Sequence, residues 1–319
     1  MRLLVLGRSN LLQRRVLPAL QQIDHLEAVD IASRRGPADW QRPDWSVGET
    51  FGDYDTALER SRADVVYVSL VNSEHRPWAA RALESGRHVV VDKPAFLWSY
   101  EAEQLLDLAH TRDCCLAEAT VWAYHPQIAS MKSAFAETGS VPTRISAAFS
   151  VPPLDPGNFR YYRSLGGGSL WDQGPYAVSI GRVFFNAAPE TLDCQILSSS
   201  GPDGVDSAFS MLATYPNGAA VVGHFGFDTA YRNHLELLGP DISVEADRVF
   251  TIPAEAENEF RVTAGDKTTV RTASAANPFR VFFECVFEGI AAHDWRSLSD
   301  DLLADARALQ RLRDAAGLV

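Results

Sequence analysis

The chain has 319 residues, enough for two domains and a sizeable core, and its 46% hydrophobic and 22% charged content excludes the disordered, collagenous and coiled-coil classes. Asp and Glu outnumber Lys and Arg by 41 to 29, and a formal charge of −12 argues against a broad phosphate-binding surface, hence against nucleic acid as a partner. Cys114, Cys115, Cys194 and Cys285 form no C-x-x-C pair and no zinc spacing, and the apolar run at residues 3–6 is too short for a signal peptide or membrane span, so a cytoplasmic protein without metal or membrane contact is expected.

In chain order, residues 3–6 read as a strand, 11–22 as a helix, and 28–33 and 65–70 as strands. Residues 76–85 then read as a helix, 88–91 as a strand, and 99–111 as a helix with small or apolar residues at Ala102, Leu105, Leu106 and Ala109. Continuous apolar strands between helices mark a parallel sheet covered on both faces. Residues 1–120 are therefore expected to form a Rossmann-type, doubly wound α/β domain with ligands at the carboxyl ends of its strands.

From about Thr143 the pattern changes to successive strand-like runs at 146–151, 191–198, 207–215, 219–227 and 233–238. Pro216-Asn217-Gly218 between two of them predicts a hairpin, because Asn-Gly readily takes positive φ. A helix begins near Pro175, and helices at 278–293 and 298–316 close the chain. Residues 121–319 are thus expected to form an α+β domain with a large, mostly antiparallel open sheet, the last helices lying within it or packed back on the first domain. An open sheet exposes a large face, which predicts a homo-oligomer, dimer or tetramer, formed through that face.

The strand at 3–6 leads through Gly7 into a helix, the place where a dinucleotide pyrophosphate meets backbone N–H groups and the positive helix end. The G-x-G-x-x-G pattern laid on Gly7-Arg8-Ser9-Asn10-Leu11-Leu12 keeps only its first glycine. Gly7, Ser9, Asn10 and Leu11 are the candidate phosphate contacts; the plain alternative is a strand-to-helix turn with Asn10 as N-cap. Ser33-Arg34-Arg35 stands where the adenosine ribose would lie, and serine with arginine suits a 2′-phosphate. NADP(H) is preferred and NAD(H) remains possible, since nearby Asp30 offers a carboxylate for a free 2′-hydroxyl.

Three further clusters carry chemistry. Asn72-Ser73-Glu74-His75 and Asp92-Lys93-Pro94 each follow a strand at its carboxyl edge, and Gly166-Gly167-Gly168-Ser169-Leu170-Trp171-Asp172-Gln173-Gly174-Pro175-Tyr176 lies far downstream. Lysine and tyrosine suit carbonyl reduction, because a nearby ammonium favours the phenolate and makes the phenol a better proton donor near neutral pH. Asp172 precedes Tyr176 by four residues, so on one helix the two share a face, and Pro175 fits a first helical turn. Taken alone, Lys93-Pro94 reads equally as a strand-end turn, Asp172 as a cap and Tyr176 as a core tyrosine.

With these motifs in order the chain resembles the family of glucose–fructose oxidoreductase, inositol dehydrogenase and rhizopine-catabolism proteins (Gfo/Idh/MocA). Asn72 and His75 match its P-N-x-x-H element, with Val71 for proline. Asp92-Lys93-Pro94 matches E-K-P, Glu118 with His125-Pro126-Gln127 matches E-A…H-P-Q, and the triple glycine through Tyr176 matches G-G-G-x-L-x-D-x-G-x-[HY]. The second half is most similar to sugar 3-ketoreductases of nucleotide-linked deoxysugars, through Val151-Pro152-Pro153, Arg160-Tyr161, Ala230-Tyr231-Arg232 and Asp247-Arg248-Val249-Phe250-Thr251.

The resemblance implies an NAD(P)-dependent oxidoreductase with Lys93, Asp172 and Tyr176 in the catalytic positions. Tyr176 is then general acid, Lys93 its activator and a cofactor contact, and Asp172 an orienting or substrate-binding carboxylate. It places Leu70, Asn72, His75 and Pro94 with the cofactor, and Trp122, Tyr124, Arg160, Tyr161 and Arg232 with a small-molecule sugar, the arginines toward a substrate diphosphate. A dehydrogenase of a free sugar, cyclic polyol or dihydrodiol is the alternative within the enzyme class, and a non-catalytic binding protein on the same fold the alternative outside it.

Overall fold

The computed structural model describes residues 1–34 and 47–318. They fall into two compact units, Met1–Ala119 with Phe279–Leu303, and Thr120–Pro278 with Ala304–Val319. The first unit holds β1 (Arg2–Leu6), α1 (Leu17–Leu20), β2 (Ala28–Ala32), β3 (Val47–Phe51), α2 (Tyr54–Arg60), β4 (Val65–Val68), α3 (His75–Glu84), β5 (His88–Val91), α4 (Ser99–Thr111) and β6 (Leu116–Glu118). Its six strands lie in the order β3-β2-β1-β4-β5-β6, every pair parallel. Strand order reverses between β1 and β4, and a crevice at the carboxyl end of a doubly wound sheet opens at such a switch point.

The all-apolar strands explain the two covered faces: Leu3 to Leu6, Val65 to Val68 and Val89 to Val91 are all buried. The expected helix at 11–22 is instead a π-helical turn, Leu12–Val16, running into α1. Leu17 N–H reaches back five residues to the Leu12 carbonyl. The cause is Pro18, which donates no N–H and whose ring would crowd the Arg14 carbonyl in a regular helix. Sequence periodicity missed β3 and β6, because Val-Gly-Glu-Thr-Phe has no apolar run and Leu-Ala-Glu is only three residues long.

The second unit contains α5 (Pro126–Glu137), β7 (Arg144–Ser150), α6 (Ser169–Asp172), α7 (Gly174–Phe185), β8 (Thr191–Ser200), β9 (Val205–Thr214), β10 (Ala220–Gly226), β11 (Arg232–Leu238), β12 (Ile242–Asp247), β13 (Asn258–Ala264) and β14 (Lys267–Ala273). The strands form one sheet, β14-β13-β12-β11-β7-β10-β9-β8, antiparallel except for β7 with β10. Alternating burial along β7, β11 and β12 gives the sheet one packed and one open face. Asn217 and Gly218 take φ of 61° and 69° in the β9–β10 hairpin, the positive values this turn demands. The closing helices α8 (Pro278–Ala292) and α9 (Arg296–Ala315) divide between the units: Phe282, Phe283 and Val286 are buried in the first, Leu309 and Leu312 in the second. Among the described residues no helix is long and apolar enough to cross a membrane.

The H-P-Q element anchors α5. His125 Nδ1 accepts the Gln127 N–H at 3.2 Å as N-cap, Pro126 opens the helix, and Gln127 donates to the Val249 carbonyl and accepts from Asn258. With Nδ1 accepting, the neutral ring carries its proton on Nε2, which is buried with no hydrogen-bond partner. Burial pushes the imidazole down from 6.5 to about 4. The unfolded chain thus binds a proton that the folded chain refuses between those values. The stability contributed by neutral His125 is complete above about pH 6.5 and is lost as pH falls toward 4. His125→Asn keeps an N-cap acceptor and is expected to flatten the fall in melting temperature between pH 7 and 5; a decline as steep as wild type would place the proton uptake elsewhere.

Candidate active site

In the first unit the candidate residues gather at the carboxyl edge around the switch point. Gly7 has φ of +117°, and a Cβ there would lie 2.1 Å from the Ser69 carbonyl oxygen. Only glycine lets the ends of β1 and β4 approach this closely. Ser9 does the capping expected of Asn10: its Oγ accepts the Leu12 N–H at 2.9 Å, and its carbonyl accepts the Gln13 N–H at 3.2 Å. Asn10 and Leu11 are exposed on the loop's outer side, while Leu12 is buried in the core. The serine hydroxyl is turned inward, 3.1 Å from Ser69 Oγ. The loop therefore keeps its outer rim open to a diphosphate despite lacking two fingerprint glycines.

At the end of β2, Ser33 is buried and Arg34 is exposed. The Arg34 guanidinium lies 4.7 Å from the Tyr54 ring centroid, 5.6 Å from that of Trp78 and 3.8 Å from a Glu74 carboxylate oxygen. Aromatic faces and one carboxylate thus hold the cation at the ribose end of the crevice. Arg35 lies outside the described residues. Asp30 is removed from the list of ribose partners: it is fully buried, both oxygens meet Arg2 at 2.6 and 2.9 Å, and it also accepts from Ser61 and the Glu49 N–H. The donor set fits a nicotinamide dinucleotide bearing a 2′-phosphate, whose pyrophosphate Gly7 to Leu11 would hold and whose 2′-phosphate Arg34 would meet.

The two strand-end motifs are tied to each other. His75 is fully buried, with Nδ1 2.9 Å from the Pro94 carbonyl and Nε2 3.1 Å from the Leu70 carbonyl. A neutral imidazole carries one N–H and donates to one of these two carbonyls, which places the ring between Leu70 and Pro94. Asn72 is buried beside it, in a short 3-10 turn, Asn72–Glu74. The Lys93-Pro94 peptide is cis. Glu118 of the E-A element receives the Ala95 N–H at 2.7 Å, fastening the turn that follows Lys93 to β6. Lys93 itself is half-buried at the end of β5. Tyr67 and Ser69 both donate to the Asp92 carboxylate, Ser69 at 2.8 Å. Burial raises the Asp92 carboxyl, and burial beside that carboxylate raises the Tyr67 phenol well above its ordinary range.

In the second unit Tyr176 stands half-buried in the first turn of α7. Its ring meets Phe149 at 5.0 Å and Phe250 at 5.6 Å between centroids, both edge to face. It is therefore neither a core tyrosine nor a loose surface one. The expected single helix through Asp172 and Tyr176 is broken at Gln173, so Asp172 ends α6 while Tyr176 opens α7. Asp172 pairs with Arg160 at 2.8 Å. Asp206 on β9 does the capping, accepting Leu170 N–H and Ser169 Oγ, each at 2.7 Å. A Cβ on Gly168 would come within 2.4 Å of that carboxylate. Arg182 on α7 meets Asp305 on α9 at 2.8 and 2.6 Å, locking the helix that carries Tyr176.

Three residues expected at the substrate make the following contacts. Tyr161 is buried against Val205 and Phe227, with its hydroxyl accepting Leu154 N–H at 2.9 Å and donating to Leu154 O at 3.2 Å. Trp122 is buried, donates its indole N–H to Ser179 at 3.0 Å and packs on Phe250, so it backs the aromatic shelf under Tyr176. Arg232 lies on the open face of the sheet, paired with Asp247 at 3.1 Å, while Asn233 beside it takes the packed face where Phe149 and Tyr176 meet. Tyr124 remains half-buried at the end of the short turn Val121–Tyr124.

Comparison with known proteins agrees with this layout. Residues 1–120 match the model of an oxidoreductase family with an NAD-binding Rossmann fold, and residues 140–245 match the GFO/IDH/MocA C-terminal domain. The chain belongs to the Gfo/Idh/MocA oxidoreductase family. It is similar to the dTDP-3,4-didehydro-2,6-dideoxy-alpha-D-glucose 3-reductase of Actinomadura kijaniata, 30% identical over 98% of this chain and 94% of that protein. The enzyme of the same name from Streptomyces violaceoruber is 30% identical over 100% of this chain and 96% of its own. The crystal structure of KijD10, a 3-ketoreductase from Actinomadura kijaniata in complex with NADP and TDP-benzene, superposes with a TM-score of 0.92 at 29% identity, covering 99% of this chain and 98% of that one. Like its family, the chain is an NAD(P)-dependent oxidoreductase.

Proposed function

We propose that this enzyme is an NADP-dependent reductase of a keto group on a nucleotide-linked sugar. The observation that carries the reading is similarity to an NADP-bound 3-ketoreductase along 99% of the chain, with lysine and tyrosine at the motif positions where carbonyl chemistry needs them. The nicotinamide supplies the hydride. The chain's own residues supply the rest. Tyr176 delivers a proton to the carbonyl oxygen, its ring held by Phe149 and Phe250 and its position at the positive end of α7 favouring the phenolate left behind. Lys93 stabilises negative charge on oxygen and contacts the cofactor. Asp172, oriented by Arg160, accepts a hydrogen bond from a sugar hydroxyl. Arg232 lies on the open sheet face, and Arg160 pairs through Nε with Asp172. The nucleotide-linked substrate rests on the similarity.

The activity is tested by screening keto-sugar nucleotides against free sugars and polyols while following absorbance of the reduced nicotinamide. Tyr176→Phe is expected to lower turnover at least ~10²-fold with cofactor affinity kept, and Lys93→Ala to impair both. Wild-type turnover in Tyr176→Phe would remove the phenol from the mechanism, and turnover confined to free polyols would favour a polyol dehydrogenase.

Asp30 being spent on Arg2 and Arg34 standing at the ribose end support NADP(H) over NAD(H). Titration should give tighter binding of NADPH than NADH, and Arg34→Ala should close most of the gap. Tighter NADH binding by the wild type would overturn the 2′-phosphate assignment.

The open face of the second sheet is proposed to pair with a second copy. Leu212 and Val222 stand opposite one another there, both exposed. Sedimentation at micromolar concentration should show a dimer or tetramer, and a monomer would reject the pairing. The cysteines are free thiols, in keeping with a cytoplasmic enzyme.

A further inference from the structure

The polar groups at the carboxyl edge of the first sheet form one connected chain. Leu12 N–H donates to Ser9 Oγ at 2.9 Å, Ser9 Oγ lies 3.1 Å from Ser69 Oγ, and Ser69 Oγ lies 2.8 Å from Asp92 Oδ2. The Tyr67 hydroxyl takes the other carboxylate oxygen. Its direction follows from counting protons. An ionised carboxylate only accepts, so Ser69 and Tyr67 commit their protons to Asp92. The Ser69 oxygen is then left to accept, and Ser9 must be its donor. Tyr67 is 0% and Ser69 1% exposed, so the middle of the chain is shielded from water, while Ser9 and Asp92 at its ends are half-buried. A path of hydrogen bonds therefore runs from the phosphate loop, across the end of β4, to the residue that precedes Lys93.

We propose that Ser9, Ser69, Tyr67 and Asp92 are positioning residues that couple the loop from Gly7 to Leu12 with the backbone carrying Lys93. This rests on the reading of the loop as the cofactor's diphosphate site and of Lys93 as a catalytic and cofactor-contacting group. It gives Ser9 a function of its own at a position where the dinucleotide fingerprint asks for glycine. A glycine there would present less bulk to a phosphate, but it would remove the helix cap and the only donor that Ser69 meets from the loop. The fingerprint and the relay thus make opposite forecasts for Ser9→Gly.

The test is NADPH titration by protein fluorescence on wild type, Ser9→Gly, Tyr67→Phe and the double variant. Each single change should weaken binding about fivefold, the net effect of one hydrogen bond. Ser9 and Tyr67 are joined through Ser69 and Asp92, so the double variant should fall short of the product of the two effects by about threefold or more. Wild-type or tighter binding by Ser9→Gly, or two losses that simply multiply, would overturn the relay. If Tyr67→Phe loses its folded transition, Asp92→Asn replaces it in the same cycle.

A second readout follows Lys93 directly. Its acylation rate against pH, measured by peptide mass spectrometry with Lys132 and Lys267 as internal references, should shift in Ser9→Gly while theirs do not. An unchanged Lys93 profile would show that the loop does not reach the lysine. Failure of the enzymatic reading has a separate signature: Lys93→Ala would leave NADPH affinity and turnover intact while the Ser9 and Tyr67 cycle stayed coupled.

Discussion

A carboxylate half-buried at the end of a parallel strand must be met by donors, because leaving its charge unpaired away from water costs more than any one contact returns. Asp92 stands in that position, and the ways in which its surroundings meet it organise the carboxyl edge of the first sheet. Tyr67 is the one polar side chain in an otherwise apolar buried strand, and its hydroxyl is spent on Asp92. Ser69 gives the second donor and draws in Ser9. His75 lies between the Pro94 and Leu70 carbonyls, and Glu118 holds Ala95. Lys93 thus projects from a stretch of backbone fixed on both sides, which is what a group acting on developing charge requires.

The second unit solves a different problem, holding a phenol partly in solvent and still in one orientation. Apolar packing does this: Phe149 and Phe250 take the Tyr176 ring edge to face, and Trp122 backs Phe250. Backbone placement is handled by charge. Asp206 caps the turn after the glycines, Arg160 holds Asp172, and Arg182 ties α7 to Asp305. Gly168 is required where the Asp206 carboxylate fills the space a side chain would need. Gly168 therefore follows from a capping carboxylate, and Gly167 from the Arg160 and Tyr162 carbonyls that lie where its Cβ would be, reasons invisible in the motif itself.

Much of the architecture was legible because apolar periodicity reports burial directly. The strands at 3–6, 65–70 and 88–91 are mostly apolar and the second sheet alternates, so one parallel and one mostly antiparallel sheet followed. The site was legible as motifs and illegible as geometry. Trp122, Tyr161 and Arg232 have the residue types of sugar and diphosphate binders, yet two are core side chains and the third faces the open side of the sheet. Residue type states which bonds a side chain can make; the face of the strand and the nearest backbone carbonyl decide which it does make. Asp30 shows the same: a plausible ribose partner by position, it is consumed by Arg2 from the neighbouring strand.

By itself the sequence determined the two sheet types and most of their strands, the absence of a second and third fingerprint glycine, and the presence of a lysine and a tyrosine in motifs suited to carbonyl chemistry. These are local properties, written in periodicity and residue type. Only tertiary structure decided that Ser9 turns inward, that Asp92 is satisfied by Tyr67 and Ser69, that Asp172 and Tyr176 lie on separate helices, and that the closing helices divide between the two units. Each of those outcomes depends on partners tens to hundreds of residues away, and a donor's choice among distant acceptors is set by which strands lie side by side.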